Sequence, residues 1–376
     1  MSARFRRGCL LVGVAALAAC AVGAVVNPSA FFRAYLVAYL FWLGIALGCM
    51  AIALIHYLTG GAWGLVIRRV LESGIYTLPL LALAFVPLAF GLRELYEWAR
   101  PEAVAADALL QHKSVYLNVP FFLVRAAVYF VSWIGVAALL RAWSPADAIP
   151  ARRLRVVAGP GLALYGLTMT FAAIDWVMSL EPHWFSTIYG MMFATGQVLA
   201  GFAFVIAVAS LLARRPPLAD LVAPNHFKDL GNLLLAFVML WAYLSFAQYL
   251  LIWAGNLPEE IPWYIRRQQG GWAAVAVVLI LFHFAAPFAL LLFRTVKRHA
   301  LLFVAAGILF MRYVDLFWLV VPDLEPHGFP VHWMDVAAPV GLGGIWLATF
   351  GWQLDRRPLL PLHDPQLREA LGHGHD

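Results

Sequence analysis

The sequence predicts an all-α polytopic membrane protein with about ten transmembrane helices, and three observations predict it. The first is composition: 63% of the 376 residues are hydrophobic, 12% are charged, and mean hydropathy is +0.81. A water-soluble fold must present much of its surface to water, whereas lipid accepts apolar surface without limit. The second is the presence of apolar runs long enough to cross about 30 Å of hydrocarbon as helices. The third is the distribution of Lys and Arg. With the N-terminus placed inside, 18 of the 26 basic residues fall in inside segments and six in outside ones, leaving only Arg125 and Arg312 within helices. That split follows the positive-inside rule, and a missed helix would scramble it.

The runs cover residues 9–26, 34–57, 72–90, 119–140, 157–179, 187–212, 234–254, 272–293, 300–321 and 336–354. The first follows Arg4, Arg6 and Arg7 and so resembles a signal peptide, and Leu17-Ala18-Ala19-Cys20 resembles a lipoprotein cleavage box. A retained helix is the preferred reading. The third contains Pro79 and Pro87, and kinks there are tolerated when neighbouring helices satisfy the freed carbonyls. Residues 91–118 form a long outside loop rich in both charges, read as a small amphipathic cap. Residues 213–231 form a long inside loop. Residues 1–354 thus read as one transmembrane domain, and residues 355–376 as a cytoplasmic, poorly ordered tail with Pro358, Pro361, Pro365, His373 and His375. No internal repeat is visible.

Several classes are disfavoured. The net charge of +6 lies in short loops between apolar runs, so it does not describe a nucleic-acid surface. The three cysteines, Cys9, Cys20 and Cys49, form no motif for an iron–sulfur cluster, c-type haem or structural zinc. No metal-ligated or covalently bound cofactor is expected in this chain. His56 reads as an interfacial histidine, and Glu72 beside Arg68 and Arg69 as a surface ion pair. Trp184, Trp263 and Trp272 read as members of an outer aromatic belt.

An ionisable group inside a spanning helix is costly and marks function by default. Arg125, Asp175, Arg312 and Asp315 are the clearest cases. Gln248 lies at a depth similar to Asp175 and Asp315, and His283 lies near mid-membrane with Arg312. Two arginines balance two aspartates. Arg125 and Asp175, on neighbouring helices, can pair, and Arg312 and Asp315 share one face at i, i+3. One reading is that these pairs only hold helices together. The favoured reading places Asp175, Arg125, Gln248, His283, Arg312 and Asp315 on a proton or substrate path, with His283 as a group that titrates near neutrality.

Three stretches go beyond general membrane character. Ala173-Ile174-Asp175-Trp176-Val177-Met178-Ser179-Leu180-Glu181-Pro182-His183-Trp184-Phe185-Ser186-Thr187 joins the fifth and sixth runs. Phe246-Ala247-Gln248-Tyr249-Leu250-Leu251-Ile252-Trp253 leads through Ala254-Gly255-Asn256-Leu257 to Pro258-Glu259-Glu260-Ile261-Pro262-Trp263-Tyr264, and Arg312-Tyr313-Val314-Asp315 lies in the ninth run. Together they resemble the second quinone-binding-type membrane subunit of bacterial alternative complex III, a member of the NrfD-like superfamily of polysulfide-reductase membrane subunits. The resemblance spans the second to the tenth run.

It implies ten helices, arranged as two four-helix bundles flanked by the first and last. It implies a bacterial inner-membrane location with both termini cytoplasmic. It also implies a complex that oxidises quinol and passes electrons to a cytochrome c or oxidase. The partners expected from it are an iron–sulfur subunit, multihaem and monohaem c-type cytochrome subunits, a sister NrfD-like subunit and membrane lipids, with no nucleic acid. Quinone or quinol belongs to the complex, and the sister subunit is the better-supported quinol site. A proton-conducting role in the family carries over to Asp175, Arg125, His283, Arg312 and Asp315 as an expectation. The alternatives are a purely structural assembly subunit and an independent secondary transporter.

Overall fold

A computed structural model describes residues 2–143, 151–214, 224–325, 328–329, 331–356 and 358. The described chain is helical, with no strand among the described residues, and ten of its segments are long and apolar enough to cross a bilayer. Backbone amides in hydrocarbon must be satisfied within the chain, and helices do this segment by segment. The segments are α1 (Ala3–Val26), α2 (Pro28–Thr59), α3 (Ala62–Ile75, Leu78–Ala84 and Val86–Phe90), α4 (Val119–Trp143), α5 (Ala151–Trp176) and α6 (Tyr189–Leu212). They continue as α7 (Pro224–Gly255), α8 (Trp272–Leu292), α9 (Leu301–Leu324) and α10 (Met334–Asp355).

Sequence and local chemistry account for the interruptions. In α3, Pro79 and Pro87 each sit at the start of a new helical piece, where the missing N–H costs nothing. Tyr35 and Tyr39 of α2 donate to the carbonyls of Ala84 and Leu81, so the neighbouring helix satisfies the broken stretch. In α8 the helix widens into a π-helical segment at Ile280–Ala285, just before Pro287.

Segments α2–α5 pack as one four-helix bundle and α6–α9 as a second, while α1 and α10 pack on each other and on α2. The bundles meet along α2 and α6, and small residues set how closely. A Cβ on Gly48 would run into the backbone carbonyl of Gln197, and one on Gly201 would lie 2.7 Å from the amide nitrogen of Cys49. Close backbone approach of this kind is how helices associate when lipid competes for every apolar contact. Gly13 makes the same approach to α10: a Cβ there would lie 2.8 Å from the carbonyl of Gly341.

Alternation places loops 91–118, 181–188 and 256–271 at one end, here the motif end, and the loop between α8 and α9 at the opposite, basic end. The cap expected over residues 91–118 is a set of short helices, including Pro101–Ala106 and Ala108–Lys113. The C-terminal tail, with His373 and His375, lies outside the described residues.

Two local expectations are corrected. Glu72 is no surface group: it is buried, bonded by Arg68 at 3.1 Å, Arg69 at 2.5 Å and the Tyr57 hydroxyl at 3.2 Å. Trp184, Trp263 and Trp272 are no belt either. All three are buried, and Trp184 stacks on Trp263 with centroids 4.7 Å apart, because the motif-end loops fold back over the helix ends and enclose them.

Two outcomes check this arrangement. In a background with Cys9, Cys20 and Cys49 replaced by alanine, single cysteines at His183 and at Lys228 label with an impermeant maleimide from opposite sides of a sealed vesicle. Gly48→Leu forces α2 and α6 apart and lowers stability by about 2–3 kcal/mol or prevents folding, read as thermal unfolding in detergent. Gly135→Leu, with open space at its Cβ, serves as the neutral control.

Candidate functional site

The six residues singled out in the sequence fall into two places, one in each bundle. In the first bundle, Arg125 of α4 forks onto Asp175 of α5, Nε to Oδ2 at 2.8 Å and Nη2 to Oδ1 at 2.9 Å. The Tyr129 hydroxyl donates to the same carboxylate at 2.7 Å, and Arg125 Nη1 donates to the Tyr116 carbonyl at 2.9 Å. The Tyr116 and Phe121 rings cover the guanidinium at 3.9 and 4.3 Å. Asp175 is fully buried, and both its oxygens are engaged. A bidentate, hydrogen-bonded pair with this geometry holds α4 to α5.

In the second bundle, a cavity of about 750 Å³ lies between α7, α8 and α9. Its walls are largely apolar and aromatic, and its polar lining includes Gln248, Tyr264, Arg267, Arg312 and Asp315. Arg312 and Asp315 form an i, i+3 ion pair through Nη1 and Oδ2. The guanidinium lies against α6, where Gly196 leaves the room: a Cβ there would collide with it. Gln248 takes a bond from the Ser186 hydroxyl at 3.2 Å and donates to the Tyr264 hydroxyl at 3.4 Å. Ser186, Gln248, Tyr264 and the Arg312–Asp315 pair come from the three distinctive sequence stretches. The fold therefore gathers all three stretches around one cavity.

His283 lies deeper, in the π-helical segment of α8. It does not line the cavity. Trp241, which does, packs edge-on against its ring at 4.3 Å. Neither ring nitrogen has a hydrogen-bond partner among the described residues, and the side chain is fully buried. Such a group is costly to bury, so its position calls for a role.

Sequence reasoning missed the mouth of this cavity. Arg267, read as an outside loop charge, is 1% exposed. It donates to both Asp323 oxygens at 3.0 and 2.8 Å and to the carbonyls of Trp263, Trp318 and Leu319, and it stacks on the Trp263 ring at 3.4 Å. Arg266 joins Asp323 to Glu181, and His183 continues the chain to Asp107 at 2.7 Å. The amides of Leu110 and Leu109, with His183, hold the Asp107 carboxyl below its usual range. A Trp–Arg pair at i, i+4 was the only local signal for Arg267. Burial pushes the Tyr264 phenol up to about 12, so it keeps its proton and remains a donor at neutral pH.

Among the described residues, no three His, Cys, Asp or Glu side chains gather as a metal site. No protein-family model matches the chain, and no curated protein is similar to it in sequence.

The geometry makes a prediction about the first bundle. Asp175→Asn leaves Arg125 buried without its counter-charge and costs about 3–5 kcal/mol. The double variant Arg125→Met, Asp175→Leu removes both charges and loses less than the single variant. Thermal unfolding of the three proteins in one detergent checks the order.

Proposed function

We propose that this chain is an integral membrane subunit of a quinol-oxidising respiratory complex of the alternative complex III type, seated in a bacterial inner membrane with both termini cytoplasmic. Its own contribution is a proton path through the second bundle. The observation that carries the reading is the buried Arg312–Asp315 pair in the wall of a membrane-embedded cavity that also holds Gln248 and Tyr264. Desolvation and a neighbouring guanidinium act on a buried carboxylate in opposite senses. Asp175 is locked by a bidentate arginine and a tyrosine, whereas Asp315 is held through one oxygen by Arg312, with the Trp241 indole and an open cavity beside it. A carboxylate so placed can load and release a proton as its surroundings change.

In this reading Asp315 carries the proton and Arg312 is its counter-charge. Gln248 and Tyr264 continue the polar route towards the motif end, and His283 behind Trp241 extends it inwards. Arg125 and Asp175 hold the first bundle together. The electrons travel in partner subunits, the iron–sulfur and c-type haem subunits that the resemblance implies. The resemblance of the three motif stretches supports the choice of complex, and their convergence on one cavity supports a shared role.

The second reading, a purely structural subunit, draws on the saturated Arg125–Asp175 clamp. One experiment separates the two. The chain is purified from its native membrane and is expected to bring haem-bearing partners with it. Asp315→Asn is then compared with wild type for assembly, quinol oxidation and proton release. The expected outcome is an assembled complex with proton release or turnover reduced about tenfold or more. An assembled variant with wild-type turnover and proton stoichiometry leaves only the structural reading.

A further inference from the structure

The buried arginines and their carboxylates do not match in number everywhere. Arg33, Arg125 and Arg312 each have a carboxylate of their own, and Arg266 and Arg267 divide Glu181 and Asp323 between them. On α3, by contrast, Arg68 and Arg69, 5% and 4% exposed, share the single carboxylate of Glu72. Both Glu72 oxygens are already engaged, by these two arginines and by the Tyr57 hydroxyl. One positive charge is therefore buried in excess. Arg69 Nε is also buried, and it has no hydrogen-bond partner among the described residues. A buried charge without compensation is strongly destabilising, so this arrangement calls for an anion.

The surroundings add further cations and a place for the anion. Arg69 and Glu72 of α3, Arg141 of α4 and Arg356 at the end of α10 line a small pocket at the basic end. Arg141 and Arg356 are exposed, and their guanidiniums rest on rings, 5.0 Å from the Tyr76 centroid and 3.8 Å from the Trp352 centroid. Neither has a carboxylate partner among the described residues, and the adjacent Asp355 is paired with Arg6 at 2.7 Å. With Arg68 directly behind, four guanidiniums meet one carboxylate. The pocket holds about 10 Å³, room for little more than one water-sized group. A ligand therefore reaches it with a small polar tip and keeps the rest outside. Arg141 and Arg356 stand at the ends of their helices, and Trp352, 45% exposed, marks the depth of the headgroup layer.

We infer that this pocket binds a phosphate group at the basic face of the membrane, with Arg69 Nε and the Arg141 and Arg356 guanidiniums as its donors. A guanidinium fork matches phosphate oxygens in geometry and charge. Basic pockets between spanning helices at headgroup depth are where anionic lipid heads bind. An anionic phospholipid and a soluble phosphate share this chemistry, and the position at the headgroup layer favours the lipid. The site shares no residue with the cavity of the second bundle and does not rest on the proton-path reading.

The test is thermal unfolding of the full chain in detergent, because a ligand that binds the folded state raises Tm saturably. Three probes are titrated: phosphatidylglycerol, phosphatidylcholine with the same acyl chains, and inorganic phosphate against sodium chloride of equal ionic strength. At least one of the two anionic probes is expected to give a saturable rise, and phosphatidylcholine, whose choline cancels the phosphate charge, none at equal concentration. A rise with phosphatidylglycerol and not with inorganic phosphate assigns a lipid headgroup, and a rise with inorganic phosphate assigns a site open to soluble phosphate. Arg141→Gln with Arg356→Gln leaves the buried residues in place and is expected to raise the apparent Kd about tenfold or more, as the loss of two interfacial arginines implies. Arg294→Gln with Arg298→Gln, at the same end between α8 and α9, is expected to leave it unchanged, which separates a site from general surface charge. The inference is overturned if neither anionic probe gives a saturable rise, or if phosphatidylcholine acts equally. It is also overturned if the first double variant binds as wild type does, or if the second weakens binding as much as the first.

Discussion

A guanidinium cannot stand alone in hydrocarbon, and the architecture of this protein is organised around that constraint. Among the described residues, five buried arginine sites lie within the bundles or at their ends, and each is answered by a carboxylate: Arg33 by Asp335, Arg68 and Arg69 by Glu72, Arg125 by Asp175, Arg267 by Asp323, and Arg312 by Asp315. Three of these pairs join different elements of the fold. Arg33 ties α2 to the start of α10, Arg125 ties α4 to α5, and Arg267 ties the 256–271 loop to the end of α9. Apolar packing in lipid is weakly directional, because a leucine gains little by leaving lipid for another leucine. Ion pairs supply the specificity that packing lacks, and close glycine contacts between α2 and α6 set the distance at which they form.

The pairs are not equivalent, and they differ in how fully each carboxylate is held. Asp175 accepts three hydrogen bonds from a neighbouring helix. Asp323 is gripped by both nitrogen atoms of the Arg267 fork. Asp315 is held through one oxygen by an arginine of its own helix, and it lines the cavity. Saturated pairs resist any change of protonation, because each bond would have to be given up together with the charge. A less fully held carboxylate beside open space has the least to lose. The less fully held carboxylate therefore lies in the second bundle, even though the sequence distributes charge evenly between the two.

Much of this was legible in the sequence, for reasons that can be stated. Helix number and alternation are written in composition and in Lys/Arg placement, which depend on the solvent and not on tertiary detail. Arg125, Asp175, Arg312 and Asp315 stood out because a charge inside an apolar run has no cheap explanation. The broken course of α3 followed from Pro79 and Pro87. Charges at the ends of runs were silent by contrast. Arg33, Glu72 and Arg267 sit where a charge is ordinary in sequence, and only the way chain ends and loops close over the helices buries them. The fold-back of the motif-end loops likewise hid Trp184 and Trp263, which look like interface residues until their rings are seen stacked on each other. The π-helical segment around His283 was not legible, since Pro287 marks an irregularity in the helix but not its kind.

The fold-back also explains why three separate stretches of sequence share distinctive chemistry. The loop at 181–188 lays Ser186 onto Gln248 and Trp184 onto Trp263, and the Trp184 indole donates to the Glu260 carbonyl at 3.1 Å. The loop at 256–271 in turn places Tyr264 and Arg267 over the cavity. Each loop is held by the other, and both are held by the series of polar contacts from Asp107 through His183, Glu181, Arg266 and Asp323. That series starts on the cap of the first bundle and ends on α9 of the second. The motif-end cap is therefore joined to the roof of the cavity by a series of contacts of 2.5–3.7 Å.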